Sequence, residues 1–205
     1  MAGPKKYDRS YFDRWYRKSR IGVGSAEFIA RKVRLAVSAT EYLLARPVRS
    51  VLDVGCGEAP WRAVLRRMRP GLRYQGVDSS EYVVERHGRQ RNIRRGSLGE
   101  LSYMGFNGPF DLVVCADVIH YVPTSELRVG LASIAKLTRG MAFIEAFTST
   151  DAIEGDHAEL QKRTTADYRK LFFEAGLIPL TLHLYTTRQR FAELSALEKG
   201  GAGIA

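Results

Sequence analysis

Val51-Leu52-Asp53-Val54-Gly55-Cys56-Gly57-Glu58-Ala59-Pro60-Trp61 is the stretch on which the fold turns. A short apolar run stops at two glycines spaced one apart, and Pro60 brings a φ already set for the first turn of a helix. The pattern predicts strand, Gly-rich turn, helix. Glycine suits such a turn because a backbone without Cβ adopts positive φ and lets a ligand touch the main chain. The dinucleotide fingerprint G-x-G-x-x-G needs a third glycine where this chain has Pro60, so another cofactor is indicated.

Downstream, Pro70-Gly71 marks a turn and Leu72 to Val77 reads as a second strand ending at Asp78. An acid at the tip of a second strand can accept hydrogen bonds from both ribose hydroxyls of an adenosine. It can also be the N-cap of a following helix, here Ser79 to His87. Asn92 to Arg95 gives a short third strand before Gly96-Ser97-Leu98. Phe110-Asp111-Leu112-Val113-Val114-Cys115 is apolar and β-branched, introduced by Gly108-Pro109, and belongs at the centre of a parallel sheet. It continues as Ala116-Asp117-Val118-Ile119-His120-Tyr121-Val122-Pro123.

Thr124 or Ser125 then caps a helix to about Leu137, with Arg139-Gly140 ending it. Met141 to Phe147 is the fifth strand, and Glu145 lies near its carboxyl end, where open α/β sheets bind ligands. A substrate contact and a salt-bridged structural acid both fit Glu145. A helix from Thr164 to Ala175 stops at Gly176, and Leu177 to Tyr185 forms a sixth strand. Phe191, Leu194 and Leu197, spaced three apart, place a helix over Arg188 to Lys199 in the position of a seventh strand.

The run Asp53-Val54-Gly55-Cys56-Gly57 resembles motif I of the class I S-adenosylmethionine-dependent methyltransferases. The segment from Phe110 to Pro123 resembles their motif IV. Two departures stand out: Ala59 replaces the last glycine of D/E-x-G-x-G-x-G, and Ser97 replaces an acid common in the family. The resemblance implies a doubly wound, mostly parallel α/β sheet (the Rossmann-like methyltransferase fold) of six or seven strands with helices on both faces. It implies S-adenosylmethionine as cofactor and S-adenosylhomocysteine as product.

Under that reading Gly55 and Gly57 admit the methionine part, Asp53 orients its amino group, and Asp78 with Ser79 holds the ribose. Ser97 and Leu98 flank adenine, and Asp117 closes the amino-acid end. The family has no universal catalytic residue, because the sulfonium is already activated and alignment does most of the work. His120, Tyr121 and Glu145 are the candidates facing the acceptor. A near-neutral imidazole at position 120 would help remove a proton, and it would equally serve as a hydrogen-bonding residue at the start of a helix. The expected activity is methyl transfer to an oxygen or nitrogen of a small-molecule acceptor. An RNA methyltransferase using the basic surface, or a non-catalytic S-adenosylmethionine-binding scaffold, are the alternatives.

Composition fits one domain, residues 25–199, preceded by an aromatic and basic segment, 1–24, and followed by a tail, 200–205. In the first segment Tyr7, Tyr11 and Trp15 fall four apart, with Phe12 and Tyr16 beside them. A helix there carries an aromatic stripe that packs on the domain or folds over the cofactor as a lid. Ile21 to Gly24 makes a joint before an amphipathic helix from Ser25 to Arg46. The net charge of +10, rich in arginine from Arg62 to Arg95, suits a solvated surface before it suits nucleic acid. Cys56 and Cys115 read as core packing. Asp151, Glu154, Asp156 and His157 share one loop, but their spacing matches no cation site, and no metal is expected. Without an apolar run of ~18 residues or a signal-peptide core, no membrane partner and a cytoplasmic location are expected, for a monomer or homodimer.

Overall fold

The computed structural model describes residues 7–18, 25–152, 156–196 and 198–199. The expected joint at Ile21 to Gly24, Glu154, Leu197 and the tail from Gly200 lie outside the described residues. In chain order the elements are α1 (Arg9–Phe12), which runs into a π-helical stretch (Asp13–Lys18), α2 (Ala26–Leu44), β1 (Ser50–Val54), α3 (Pro60–Met68), β2 (Arg73–Asp78) and α4 (Glu81–Arg91). There follow β3 (Ile93–Arg95), a 3-10 helix (Leu98–Tyr103), β4 (Phe110–Ala116), α5 (Thr124–Leu137) and β5 (Thr138–Glu145). The chain ends in α6 (Thr165–Ala175), β6 (Leu177–Thr181), β7 (Leu184–Thr187) and α7 (Arg188–Ala192).

The strands form one sheet in the order β3-β2-β1-β4-β5-β7-β6. β1 to β5 run parallel, and β7 is antiparallel to both β5 and β6. Successive side chains of a strand face opposite sides, and the core follows that alternation. Val51, Leu112, Val114 and Phe143 pack under α2, α3 and α4, whereas Leu52, Val54, Val113, Cys115 and Ile144 pack under α5, α6 and the 3-10 helix. This is the doubly wound fold with helices on both faces that the sequence predicts. The strand order reverses between β1 and β4, which opens a crevice at the carboxyl ends of those strands. Among the described residues, no helix is long and apolar enough to cross a membrane.

At the opposite, amino-terminal end, a fully buried Asp111 ties the layers together. Its carboxylate accepts from both terminal nitrogens of Arg46 (2.9 and 2.7 Å), from the Arg49 amide (2.8 Å) and from Arg139 (3.0 Å). Burial alone would raise its pKa, but the two guanidiniums and the amide outweigh it and hold the group at about 2.

Several boundaries differ from the sequence expectations. The sixth strand expected over Leu177 to Tyr185 is a hairpin, β6 and β7, reversing at Leu182 and His183, both at positive φ (42° and 65°). A seventh strand is therefore present, and β7 inserts between β5 and β6. The helix expected over Arg188 to Lys199 starts where expected, directly after β7, but runs only to Ala192 as the short α7. α4 begins at Glu81, capped by the Ser80 hydroxyl, which accepts from the Val83 amide at 3.1 Å. α5 is preceded by Pro123 rather than capped by Thr124 or Ser125, and Arg139-Gly140 lies inside β5.

Candidate active site

The glycine turn is built from the main chain outward. Gly55 (φ 67°) and Gly57 (φ 51°) take the left-handed conformation that glycine adopts without cost. A Cβ on Gly55 would lie 2.3 Å from a methyl of Val118, so the turn also needs the missing side chain for space. The Gly55 and Cys56 amides both donate to the Val77 carbonyl, at 2.8 and 3.1 Å, which fixes the turn to the end of β2. Ala59 takes φ 57° and ψ 54°, the conformation that glycine would supply in the family pattern, and Pro60 follows as the first residue of α3. The departure from the pattern is thus in composition and not in backbone shape.

Asp78 receives the Gly57 amide on one carboxylate oxygen (2.7 Å) and the Ser80 amide on the other (2.9 Å). It stands beside the turn and does not cap α4; Ser80 has that task. Burial raises its pKa against the two amides that lower it. Ser79 is exposed beside it. The Ser80 hydroxyl donates to the Tyr7 carbonyl at 2.5 Å. Phe12, buried, reaches to 3.4 Å of where a Cβ on Gly57 would stand, so the first aromatic segment covers the turn.

Beside Gly55 opens a cleft lined by Ile29, Lys32, Asp53, Cys56, Pro60, Trp61, Ala116 and Asp117. Asp53 is buried and accepts from the Tyr74 hydroxyl at 2.7 Å. Burial, eased by that bond and reinforced by Asp78, pushes its pKa to about 7. Asp117, at φ 60°, has no hydrogen-bond or ion-pair partner among the described residues. Burial and the nearby Glu145 push it to about 6, against the pull of Lys32. Lys32 is committed to Glu145 at 2.5 Å. A cleft with two carboxylates held above their usual range and its one lysine already paired favours a positively charged guest.

A family model described as a methyltransferase domain matches residues 26–191. The chain belongs to that family. The resemblance drawn from the two sequence motifs is borne out, and the methyltransferase shares its fold with solved structures of low sequence identity. One is a SAM-dependent methyltransferase from Archaeoglobus fulgidus, 16% identical over 82% of this chain and 73% of that one, with a TM-score of 0.62. Another is a sugar N-methyltransferase from Streptoalloteichus, 18% identical over 87% and 88%, TM-score 0.60. A third is magnesium protoporphyrin IX methyltransferase from Synechocystis with bound SAH, 21% identical over 83% and 86%, TM-score 0.56. A search of curated proteins finds no sequence match.

The remaining expected site residues of the methyltransferase fall into two groups. Ser97 caps the 3-10 helix, exchanging hydrogen bonds with Glu100, and the Leu98 side chain is buried against Gly130. His120 is buried, its ring against Tyr121 (4.3 Å) and Phe147 (5.1 Å), and it does not line the cleft beside Gly55. Tyr121 donates to the Asp156 carbonyl at 2.8 Å, and burial with Asp156 and Asp117 pushes its phenol to about 12. Glu145 is buried in its pair with Lys32, so the salt-bridged alternative describes it. Among the described residues no group of His, Cys, Asp or Glu has the arrangement of a metal site.

Sequence reading missed Tyr74 and Lys32. Tyr74 was within reach of it: Asp53 pairs with Gly76 in the β1–β2 register, and Tyr74, two residues earlier, shares the face of Gly76. Lys32 had no signal, because its partner lies 113 residues away.

Proposed function

We propose that this chain binds S-adenosylmethionine at the glycine turn and transfers its methyl group to an oxygen or nitrogen of a small-molecule acceptor. The observation that carries the reading is the convergence of Asp53, Asp78 and Asp117 on one left-handed glycine turn, with burial raising Asp53 to about 7 and Asp117 to about 6. Bound there, the cofactor supplies a methyl group on a cationic sulfur. Gly55 and Gly57 let the main chain approach the methionine part, and Asp53 and Asp117 face its ammonium and sulfonium charges. Asp78, already oriented by two amides, keeps lone pairs for the ribose hydroxyls. Carboxylates fixed in place before the ligand arrives lose little on binding it.

For the acceptor side the reading takes His120 and Tyr121, whose rings lie against one another just past β4. His120 is assigned to take the proton of an acceptor that enters protonated, and Tyr121 to orient it. A small acceptor is favoured over RNA because most of the arginines from position 62 to 95 already have partners within the chain. Arg62, Arg91 and Arg94 donate to carbonyls, Arg69 and Arg95 pair with Glu41 and Glu81, and Arg73 and Arg86 lie over aromatic rings.

Calorimetric titration with S-adenosylmethionine and S-adenosylhomocysteine, followed by methyl transfer to a panel of phenols, carboxylic acids and amines, tests the reading. Uptake of the cofactor with turnover on the panel is expected. Absence of uptake overturns the cofactor assignment; uptake with no turnover on any acceptor overturns the transfer. With an acceptor in hand, His120→Ala should lower kcat about 100-fold or more and leave cofactor affinity unchanged.

A further inference from the structure

Arg163 is 5% exposed, the most deeply buried arginine among the described residues, and none of its hydrogen-bond partners is a carboxylate. Its guanidinium donates to the Ile119 carbonyl (3.1 Å), the Val122 carbonyl (2.5 Å) and the Thr124 hydroxyl (3.0 and 3.2 Å), and it lies 5.7 Å from the centre of the Tyr168 ring. Arg163 immediately precedes Thr164, the N-cap of α6, and Thr124 is the first residue of α5. A buried cation beside the amino ends of two helices opposes both helix dipoles.

What the guanidinium does achieve is geometric. Ile119 and Val122 bracket His120 and Tyr121, and a planar fork holding both carbonyls fixes the turn between them. The same turn is stitched to the segment after β5 at two further points: the Gln161 amide donates to the His120 carbonyl at 2.8 Å, and Tyr121 donates to the Asp156 carbonyl. The Ser149 amide in turn donates to the Arg163 carbonyl at 2.7 Å. We propose that Arg163 is the positioning residue of the acceptor side, clamping the 119–124 turn so that His120 and Tyr121 hold a fixed orientation toward the acceptor. This rests on the function proposed above for those two side chains.

The test uses the full chain carrying Arg163→Met or Arg163→Lys. Cofactor binding is read with S-adenosylhomocysteine, local opening by amide exchange, and the orientation of residue 120 by its imidazole resonances. Those resonances are assigned among the four histidines with a His120→Gln variant. A lost hydrogen-bonded charge corresponds to about 10- to 100-fold faster opening, expected in residues 119–124 of Arg163→Met. Affinity for S-adenosylhomocysteine should stay within about twofold of the parent, and the His120 resonance should move. Arg163→Lys keeps the charge without the fork; it should recover part of the protection and return the resonance toward the parent.

Unchanged exchange over 119–124, or an unmoved His120 resonance, in folded Arg163→Met overturns the proposal. If Arg163→Met does not fold, Arg163→Lys decides. Faster exchange confined to 119–124 supports the clamp, and faster exchange spread evenly through α5 and α6 overturns it in favour of a core role. Failure of the parent to bind S-adenosylhomocysteine would sink the cofactor assignment while leaving the clamp to stand or fall on exchange alone.

Discussion

Asp53 and Asp111 lie on adjacent strands of one sheet, both buried, yet their surroundings push them in opposite directions. Asp111, at the amino-terminal end of β4, collects two guanidiniums and an amide and is held at about 2. Asp53, near the carboxyl end of β1, has the Tyr74 hydroxyl and sits at about 7; Asp117, just past β4, sits at about 6. An acid retained for cohesion is neutralised from within the chain. An acid buried without a guanidinium beside it is raised by its burial, at some cost to the folded protein.

The strongest way to break this contrast is to remove the cohesive acid. Asp111→Ala leaves Arg46 and Arg139 without their shared partner and should cost about 3 kcal/mol of stability, toward the low end for a broken buried pair because both arginines are partly exposed. Urea unfolding measures it. Affinity of the folded fraction for S-adenosylhomocysteine should be unchanged; a selective loss of affinity would erase the distinction between the two ends.

Asp78→Ala acts at the other end. It should weaken cofactor binding by about 1 to 3 kcal/mol, the range for a lost buried hydrogen-bonding partner, with the fold intact. Unaltered affinity by calorimetry would take Asp78 out of the site.

Titration separates the two ends without mutation. Asp111 is depressed in the folded state, so its stabilising contribution is complete above the ordinary aspartate range near 4 and is lost as pH falls toward 2. Asp53 and Asp117 are raised, so their protonated forms favour the folded state. Their contribution is present at low pH and is lost as pH rises through about 6 and 7. A cation restores it, because it binds the ionised carboxylates. The preference for S-adenosylmethionine over uncharged-sulfur S-adenosylhomocysteine should therefore grow between pH 5 and 8, by up to about 1.4 kcal/mol for each unit of pKa lowered on binding. A flat ratio across that range would show that the carboxylates do not sense the sulfonium.

The smallest expected effect concerns Ala59. A left-handed alanine is strained by about 1 kcal/mol, part of which is offset in the unfolded chain. Ala59→Gly should raise stability by about 0.5 kcal/mol in thermal unfolding and leave cofactor affinity as it is. A loss of stability would mean that the Ala59 methyl, buried in the core beneath α3, matters more than the backbone strain.

The cofactor end was legible because its parts are local. The apolar run, the two glycines, Pro60, and Asp78 at the tip of the next strand all leave their mark within about thirty residues of sequence. The acceptor end was not. Arg163 reaches its carbonyls across some forty residues and Lys32 its carboxylate across more than a hundred, and neither spacing has a period to detect. The β6–β7 reversal was hidden for another reason. Leu182 and His183 adopt positive φ with no glycine, asparagine or aspartate to announce a turn, so one apolar run concealed two strands. Ser80, not Asp78, caps α4, a shift of two residues that local pattern does not resolve.

That same hairpin decides how the sheet ends. β6 is the last strand, and Pro179 within it has no amide hydrogen to offer a newcomer. At the far border β3 is three residues long and carries Arg94 and Arg95, both exposed. Short length, bulky charge and proline are the devices that keep neighbouring molecules from adding strands side by side. Two copies of this protein that met in solution would find neither border a template for continuous pairing, and any association between them would fall to the helical layers.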